Sequence, residues 1–179
     1  MGVKMKIFVN AGHGGNDSGA ISKHGFKEKE MTRSVAGFLV EMLIMKGYDV
    51  EFFQQKSSVE DIIEAEKNSN SHLFISLHCN SVTNSAANGV EVLHYPTSGT
   101  GKALAEIMSN CLAEYLELKN RGAKARKDLR VLNGTKAPAI LIELAFLSNE
   151  KEEALLINEP YSFASGIMKG LYKWEKMGK

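Results

Sequence analysis

Cysteine is scarce in this chain. Cys79 and Cys111 are the only two in 179 residues, and they make neither a disulfide framework nor a Cys-x-x-Cys metal site. Proline occurs three times, and no repeat, low-complexity segment or linker interrupts the sequence. No apolar run approaches the ~20 residues that a membrane span needs. The apolar stretch behind Lys4 and Lys6 is also too short for the core of a secretion leader. Neither sign of charge prevails: the formal net charge is +1, which gives no electrostatic footprint for nucleic acid or an anionic membrane surface. What remains is ordinary for a globular protein, 44% hydrophobic and 24% charged. The length suits one domain with a sizeable core.

The most informative stretch is Ile7-Phe-Val-Asn-Ala-Gly-His-Gly-Gly. A short apolar run stops at a histidine among glycines, the pattern of a buried strand and the turn at its end. The pattern recurs. Leu73-Phe-Ile-Ser-Leu-His-Cys-Asn carries His78, and Ala139-Ile-Leu-Ile-Glu runs into Glu143. Three apolar strands thus deliver ionisable groups near their carboxyl ends, the edge where open α/β sheets bind ligands.

Between these strands the periodicity predicts helices. A polar loop over 16–27 leads to a helix over 28–46, with Met31, Val35, Leu39, Met42 and Leu43 on one stripe. Glu28 and Glu30 lie in its first turn, where the helix dipole favours carboxylates, and Gly47 ends it. A strand over 48–53 follows, then a short helix capped by Ser57 or Ser58 with Val59, Ile62 and Ile63 inward. A loop over 81–88 precedes a strand over 89–95. The helix over 101–118 buries Leu104, Ile107, Met108, Cys111, Leu112 and Tyr115. A basic loop over 119–127 and a short strand over 129–132 come next, and helices over 149–157 and 161–177 close the chain. The expected fold is a single α/β domain with a mixed, mostly parallel sheet of about six strands and helices on both faces. The strands holding Val90 and Arg130 are the candidates for antiparallel pairing. Residues 1–179 read as one domain, with 1–5 an added or flexible start.

His13, His78 and Glu28 make a donor set of two imidazoles and one carboxylate, common in catalytic zinc sites with a fourth position left to water. Glu143, an acid in an otherwise apolar strand, needs a partner or a role, and a general base is one such role. Taken singly, each residue also has a plain structural reading. His13 fits a turn, His78 a hydrogen-bonded core histidine, Glu28 a favourable helix start and Glu143 an ion pair. Gly-His-Gly-Gly lacks the Lys-Ser/Thr of a phosphate loop. Cys79 should point away from His78 into the core. His72 sits at the wrong end of its strand, His24 in a loop, and His94 near a strand end where it can border the cleft.

Together these residues resemble a known family, the zinc-dependent N-acetylmuramoyl-L-alanine amidases of the amidase 3 type. The blocks that carry the resemblance are Asn10-Ala-Gly-His-Gly-Gly with Ser18-Gly-Ala, Gly25-Phe-Lys-Glu-Lys-Glu, Ile75-Ser-Leu-His-Cys-Asn, and Pro138-Ala-Ile-Leu-Ile-Glu-Leu-Ala-Phe-Leu-Ser-Asn. Asn120-Arg-Gly-Ala-Lys and Leu129-Arg-Val-Leu match between them. The resemblance implies His13, Glu28 and His78 as ligands of Zn2+, Glu143 as general acid/base, and peptidoglycan as substrate. Glu30 is the local competitor of Glu28. Gln54-Gln55-Lys56 and Ala65-Glu66-Lys67 stand where many relatives carry arginine. From position, Asn80 is expected to touch substrate. The rival functions are a zinc peptidase cutting within the stem peptide, a non-catalytic wall-binding module, and a plain structural domain. A monomer acting on the cell wall is expected. It would be made in the cytoplasm without a signal peptide, as in phage lysis or mother-cell lysis, or be a domain of a secreted protein.

Overall fold

In a computed structural model, residues 4–56 and 58–177 are described. The chain runs β1 (Lys6–Ala11), α1 (Glu28–Met45), β2 (Asp49–Gln54), α2 (Val59–Ser69), β3 (Leu73–Asn80), β4 (Val90–His94), α3 (Gly99–Leu116), β5 (Asn120–Ala125), α4 (Arg130–Asn133), β6 (Ala139–Phe146), α5 (Glu150–Asn158) and α6 (Pro160–Lys176). The strands form one mixed sheet in the order β2-β1-β3-β6-β4-β5. β2, β1, β3 and β6 are parallel, and β4 runs antiparallel to β6 while pairing parallel with β5. The fold class is as expected, including an antiparallel β4.

The two faces of the sheet are covered unequally. Ile7, Val9, Ile75, Leu77, Ile140 and Ile142 point to one side and pack with Val35 and Leu39 of α1, Met108 and Leu112 of α3, and Ile167 and Leu171 of α6. Three helices of seventeen or eighteen residues shield that side. On the other side Phe8, Phe74, Leu93, Ala139 and Leu141 form a smaller cluster with Ile62 of α2 and with Val131 and Leu132 of α4, flanked by the partly buried Val59 and Ala65 of α2. α2 has eleven residues and α4 has four, too short to cover the strands to their carboxyl ends. Alternation along a strand puts His78 on this thinly covered side with Phe74 and Ser76. Cys79 faces the thick core and is buried there, as expected.

The region between α3 and β6 departs from expectation. The basic stretch over 119–127 contains β5, an edge strand whose charged side chains face solvent or other charges, so no apolar alternation marks it. The stretch over 129–132 is the turn of helix α4 and not a strand. Its adjacent Val131 and Leu132 are both buried, which a helical turn permits against α2 and a half-buried strand does not. Tyr115, expected inside, is exposed on α3. Ser58 caps α2 in a reciprocal pairing with Asp61. Ser57, the other candidate cap, lies outside the described residues, as do residues 1–3 of the expected flexible start. Among the described residues no helix is long and apolar enough to cross a membrane.

Candidate active site

Three local constructions bring the ionisable residues together. The first is the turn after β1. Asn10, fully buried, donates to the Phe53 carbonyl oxygen at 3.1 Å and accepts from Ser76 Oγ at 2.7 Å, fixing the end of β1 between its neighbours. His13 then takes a left-handed conformation with φ +61°, rare for a residue with a side chain. Thr32 of α1 holds this turn by donating to the Gly12 carbonyl oxygen at 2.8 Å.

The second is the start of α1. Glu28 is buried, and its Oε1 accepts from the Cys79 N–H and its Oε2 from the Ala20 N–H, at 3.0 and 2.9 Å. Each carboxylate oxygen also meets one imidazole: Oε2 lies 3.2 Å from His13 Nε2 and Oε1 3.0 Å from His78 Nδ1. One donor atom from each of His13, Glu28 and His78 falls within 4.8 Å of the others, a group able to hold a metal ion. Asp17 contacts the far nitrogen of His13 at 2.8 Å, the orienting contact that metal-binding histidines characteristically make. Its other oxygen accepts from the Gly19 N–H at 3.0 Å. Two glycines make room: a Cβ on Gly12 would overlap the His78 ring, and one on Gly19 would sit 2.6 Å from both Glu28 Oε2 and the His13 ring.

The electrostatics follow. Burial pushes the Glu28 carboxyl up, but its contacts with His13 and His78 outweigh this and hold it well below the usual carboxylate range. The hydrogen bond to Glu28, aided by Asp17 against the cost of burial, raises His13 to about 9.

The third construction is the pairing of β3 with β6, which sets Glu143 in register with His78 and therefore on the same side of the sheet. Glu143 is the fifth of eight residues in β6, inside the strand rather than at its end. Its Oε2 is buried and has no hydrogen-bond partner among the described residues. Burial pushes its carboxyl up to about 7, with the Glu28 and Glu91 charges adding to the shift and His78 opposing it.

The other candidates separate cleanly. Asn80 is half-buried two residues past His78, and its Nδ2 donates to Glu91 Oε1 at 3.2 Å. Glu30 is absent from the three-donor group. His24 contacts Glu153 at 2.6 Å, and His72 Nδ1 accepts from the Lys6 N–H at the amino edge of the sheet. His94 does not border the cleft. It pairs with Ile140 near the start of β6 and is buried, because β4 runs backwards and its carboxyl end lies at the far edge. Glu91, which had no sequence signal, takes the place beside Glu143 instead.

Comparison with known proteins agrees with this arrangement. The family model described as N-acetylmuramoyl-L-alanine amidase matches residues 7–173. The chain is 34% identical over 152 residues to a probable cell wall amidase LytH of Staphylococcus saprophyticus, covering 84% of this chain and 50% of that protein. It is 32% identical over 176 residues to the endolysin of Bacillus phage SPP1, covering 92% of this chain and 62% of that one. The chain thus spans about half the length of the staphylococcal relative. Among solved structures, the N-acetylmuramoyl-L-alanine amidase AmiC2 of Nostoc punctiforme superposes with a TM-score of 0.90 at 27% identity, covering 97% of this chain and 98% of that one. A match over nearly the whole sequence establishes that the chain belongs to the N-acetylmuramoyl-L-alanine amidase family, and the fold assembles a three-donor group able to hold a metal ion.

Proposed function

We propose that the protein hydrolyses the amide between the lactyl carboxyl of N-acetylmuramic acid and the L-alanine of the stem peptide in peptidoglycan. His13, Glu28 and His78 would hold Zn2+, and Glu143 would act as general acid/base. The observation that carries this reading is the pairing of Glu143, whose buried Oε2 has no hydrogen-bond partner among the described residues, with one histidine of a three-donor group. A carboxylate kept without a partner is costly unless it has a task.

Two imidazoles and one carboxylate are a donor set that fits zinc and leaves it net positive. Zinc, when bound, acidifies water and polarises the scissile carbonyl. The chain's own residues do the rest. Glu143 accepts the proton of the attacking water on its carboxylate and passes it to the amide nitrogen as the C–N bond breaks, so that alanine leaves as a neutral amine. A proton affinity near neutrality suits both halves of that transfer. Asp17 and the Ala20 and Cys79 amides hold His13 and Glu28 in place. Asn80 contacts substrate from the strand that carries His78.

The test is end-group analysis of purified peptidoglycan digested by this protein with and without a chelator. The expected result is new alanine amino termini, no new reducing ends, and no release once metal is removed. New amino termini on other residues would establish a peptidase. No release from any wall type by protein loaded with zinc would overturn the hydrolase reading and make the wall-binding module the one to pursue.

A further inference from the structure

On the thinly covered side, one row of side chains crosses four adjacent strands. His78 on β3 pairs with Glu143 on β6, and Glu143 pairs with Glu91 on β4. Glu91 is met from β5 by Arg121 Nε at 2.8 Å and Lys124 Nζ at 2.6 Å, both on the same oxygen, Oε2. In a regular strand, residues three apart point to opposite faces. Here the register between β4 and β5 slips: Val90 pairs with Asn120 but Val92 with Ala123, and Gly122 turns through φ +82°. This bulge brings Arg121 and Lys124 to one side, a device that re-aims side chains beside active sites.

The two cations exceed what Glu91 requires. Against Glu91 alone the two cations leave one positive charge over; Glu143 stands beside Glu91, and the Glu152 carboxyl lies within Coulombic reach of Arg121. Arg121 uses Nη1 on the Asn88 carbonyl oxygen at 3.3 Å and lies over the Phe146 ring, 4.9 Å from its centroid. Its Nη2 and the remaining ammonium hydrogens of Lys124 have no partner among the described residues. Both side chains stay partly open to solvent, at 28% and 42% exposure.

We propose that Arg121 and Lys124 form a subsite for the free α-carboxylate of the stem peptide's second residue, the D-glutamate that follows the scissile amide and L-alanine. This rests on the amidase reading above. Strands lie about 4.8 Å apart, so charged heads placed at β4 stand about 5 Å from the Glu143 strand and about 10 Å from the His78 strand. A peptide extending at about 3.4 Å per residue carries its second residue about 7 Å from the bond being cut, inside that range. The glycan offers no competing anion, because its lactyl carboxyl is the one tied up in the amide. In stem peptides joined through the γ-carboxyl, the α-carboxyl of D-glutamate is either free or amidated, and the subsite selects the free form.

The experiment compares kcat/KM for two disaccharide tripeptides that differ only at this group, one with D-glutamate and one with D-isoglutamine. Hydrogen bonds to charged groups lead us to expect a preference for the carboxylate of about tenfold to a hundredfold in the wild type. In Arg121→Gln and Lys124→Gln that preference should fall by about tenfold, mainly through KM for the acid. Each variant leaves Glu91 one cation and the Asn80 donor, and the more exposed Lys124 serves where Arg121→Gln is poorly folded. Equal losses on both substrates would reduce the pair to counterions of Glu91 and overturn the proposal. A wild type indifferent to amidation would overturn it too. Failure of the wild type on both substrates would overturn the amidase reading itself.

Discussion

Glu143→Gln separates the folding cost of this carboxylate from the catalytic role proposed for it. The folded protein holds the Glu143 proton up to about pH 7, whereas the ordinary glutamate value is 4.5. Between those values the native state binds more protons than the unfolded chain. Stability therefore falls as pH rises through that window and is level above it. At about 1.36 kcal/mol per pKa unit, the wild type loses about 3 kcal/mol from this one group. Glutamine has no proton to lose and escapes the effect. Urea unfolding of metal-stripped protein at about pH 4.5 and about pH 8 measures this as a double difference, in which the other titrating groups cancel to first order. The wild type should lose about 3 kcal/mol more than the variant between the two conditions. Parallel pH dependence in the two proteins would refute burial as the origin of the raised proton affinity. In the zinc-loaded enzyme the same substitution should lower turnover by about a hundredfold to ten-thousandfold while leaving metal content unchanged. Wild-type turnover in the variant would remove Glu143 from the reaction.

The remaining predictions concern what holds the site. Asp17→Asn removes the anionic partner of His13 Nδ1 and should weaken metal affinity about tenfold to a hundredfold, read by chelator competition. Gly19→Ala puts a methyl 2.6 Å from Glu28 Oε2 and the His13 ring at a backbone φ of +63°, so calorimetric titration should show metal binding lost. Glu66→Ala leaves the Lys136 and Ala137 amides and the Ser71 hydroxyl without their acceptor. It should cost about 2–4 kcal/mol in urea unfolding, with kcat unchanged in the folded fraction.

Much of the fold was legible because burial imposes period. Met31, Val35, Leu39 and Leu43 recur at three and four, and all are buried on α1. β3 and β6 read as near-continuous apolar runs because both sides of each strand are covered. The rule weakens where burial does. β5 is an edge strand carrying Arg121 and Lys124, and a charged edge is indistinguishable from a basic loop by hydrophobicity alone. α4 is a single turn, too short to show a helical period, so Val131 and Leu132 looked like a strand. Glu66, in a segment noted only for lacking an arginine, is a buried anchor whose acceptors are used by backbone amides 70 and 71 residues away. No local pattern encodes such a contact.

The same limit explains which half of the site sequence reasoning found. His13 and His78 were legible because parallel strands put their carboxyl ends at one edge, so position along each strand predicts proximity in space, and Glu28 because it opens the helix that follows the loop from His13. That inference assumes every strand points the same way. β4 does not, and the reversal exchanges its ends. His94, last in the strand, goes to the amino edge against Ile140, while Glu91, second in the strand, comes to lie beside Glu143. Direction is settled by which strands pair, and pairing is decided by packing between distant segments rather than by the residues of β4. Once Glu91 is beside Glu143, its buried charge needs compensation. The bulge at Gly122 supplies it by turning two cations from the edge strand to the same side. A change of strand direction and a slip of one residue in register thus convert what reads as a basic loop into a pair of cations on Glu91, beside Glu143.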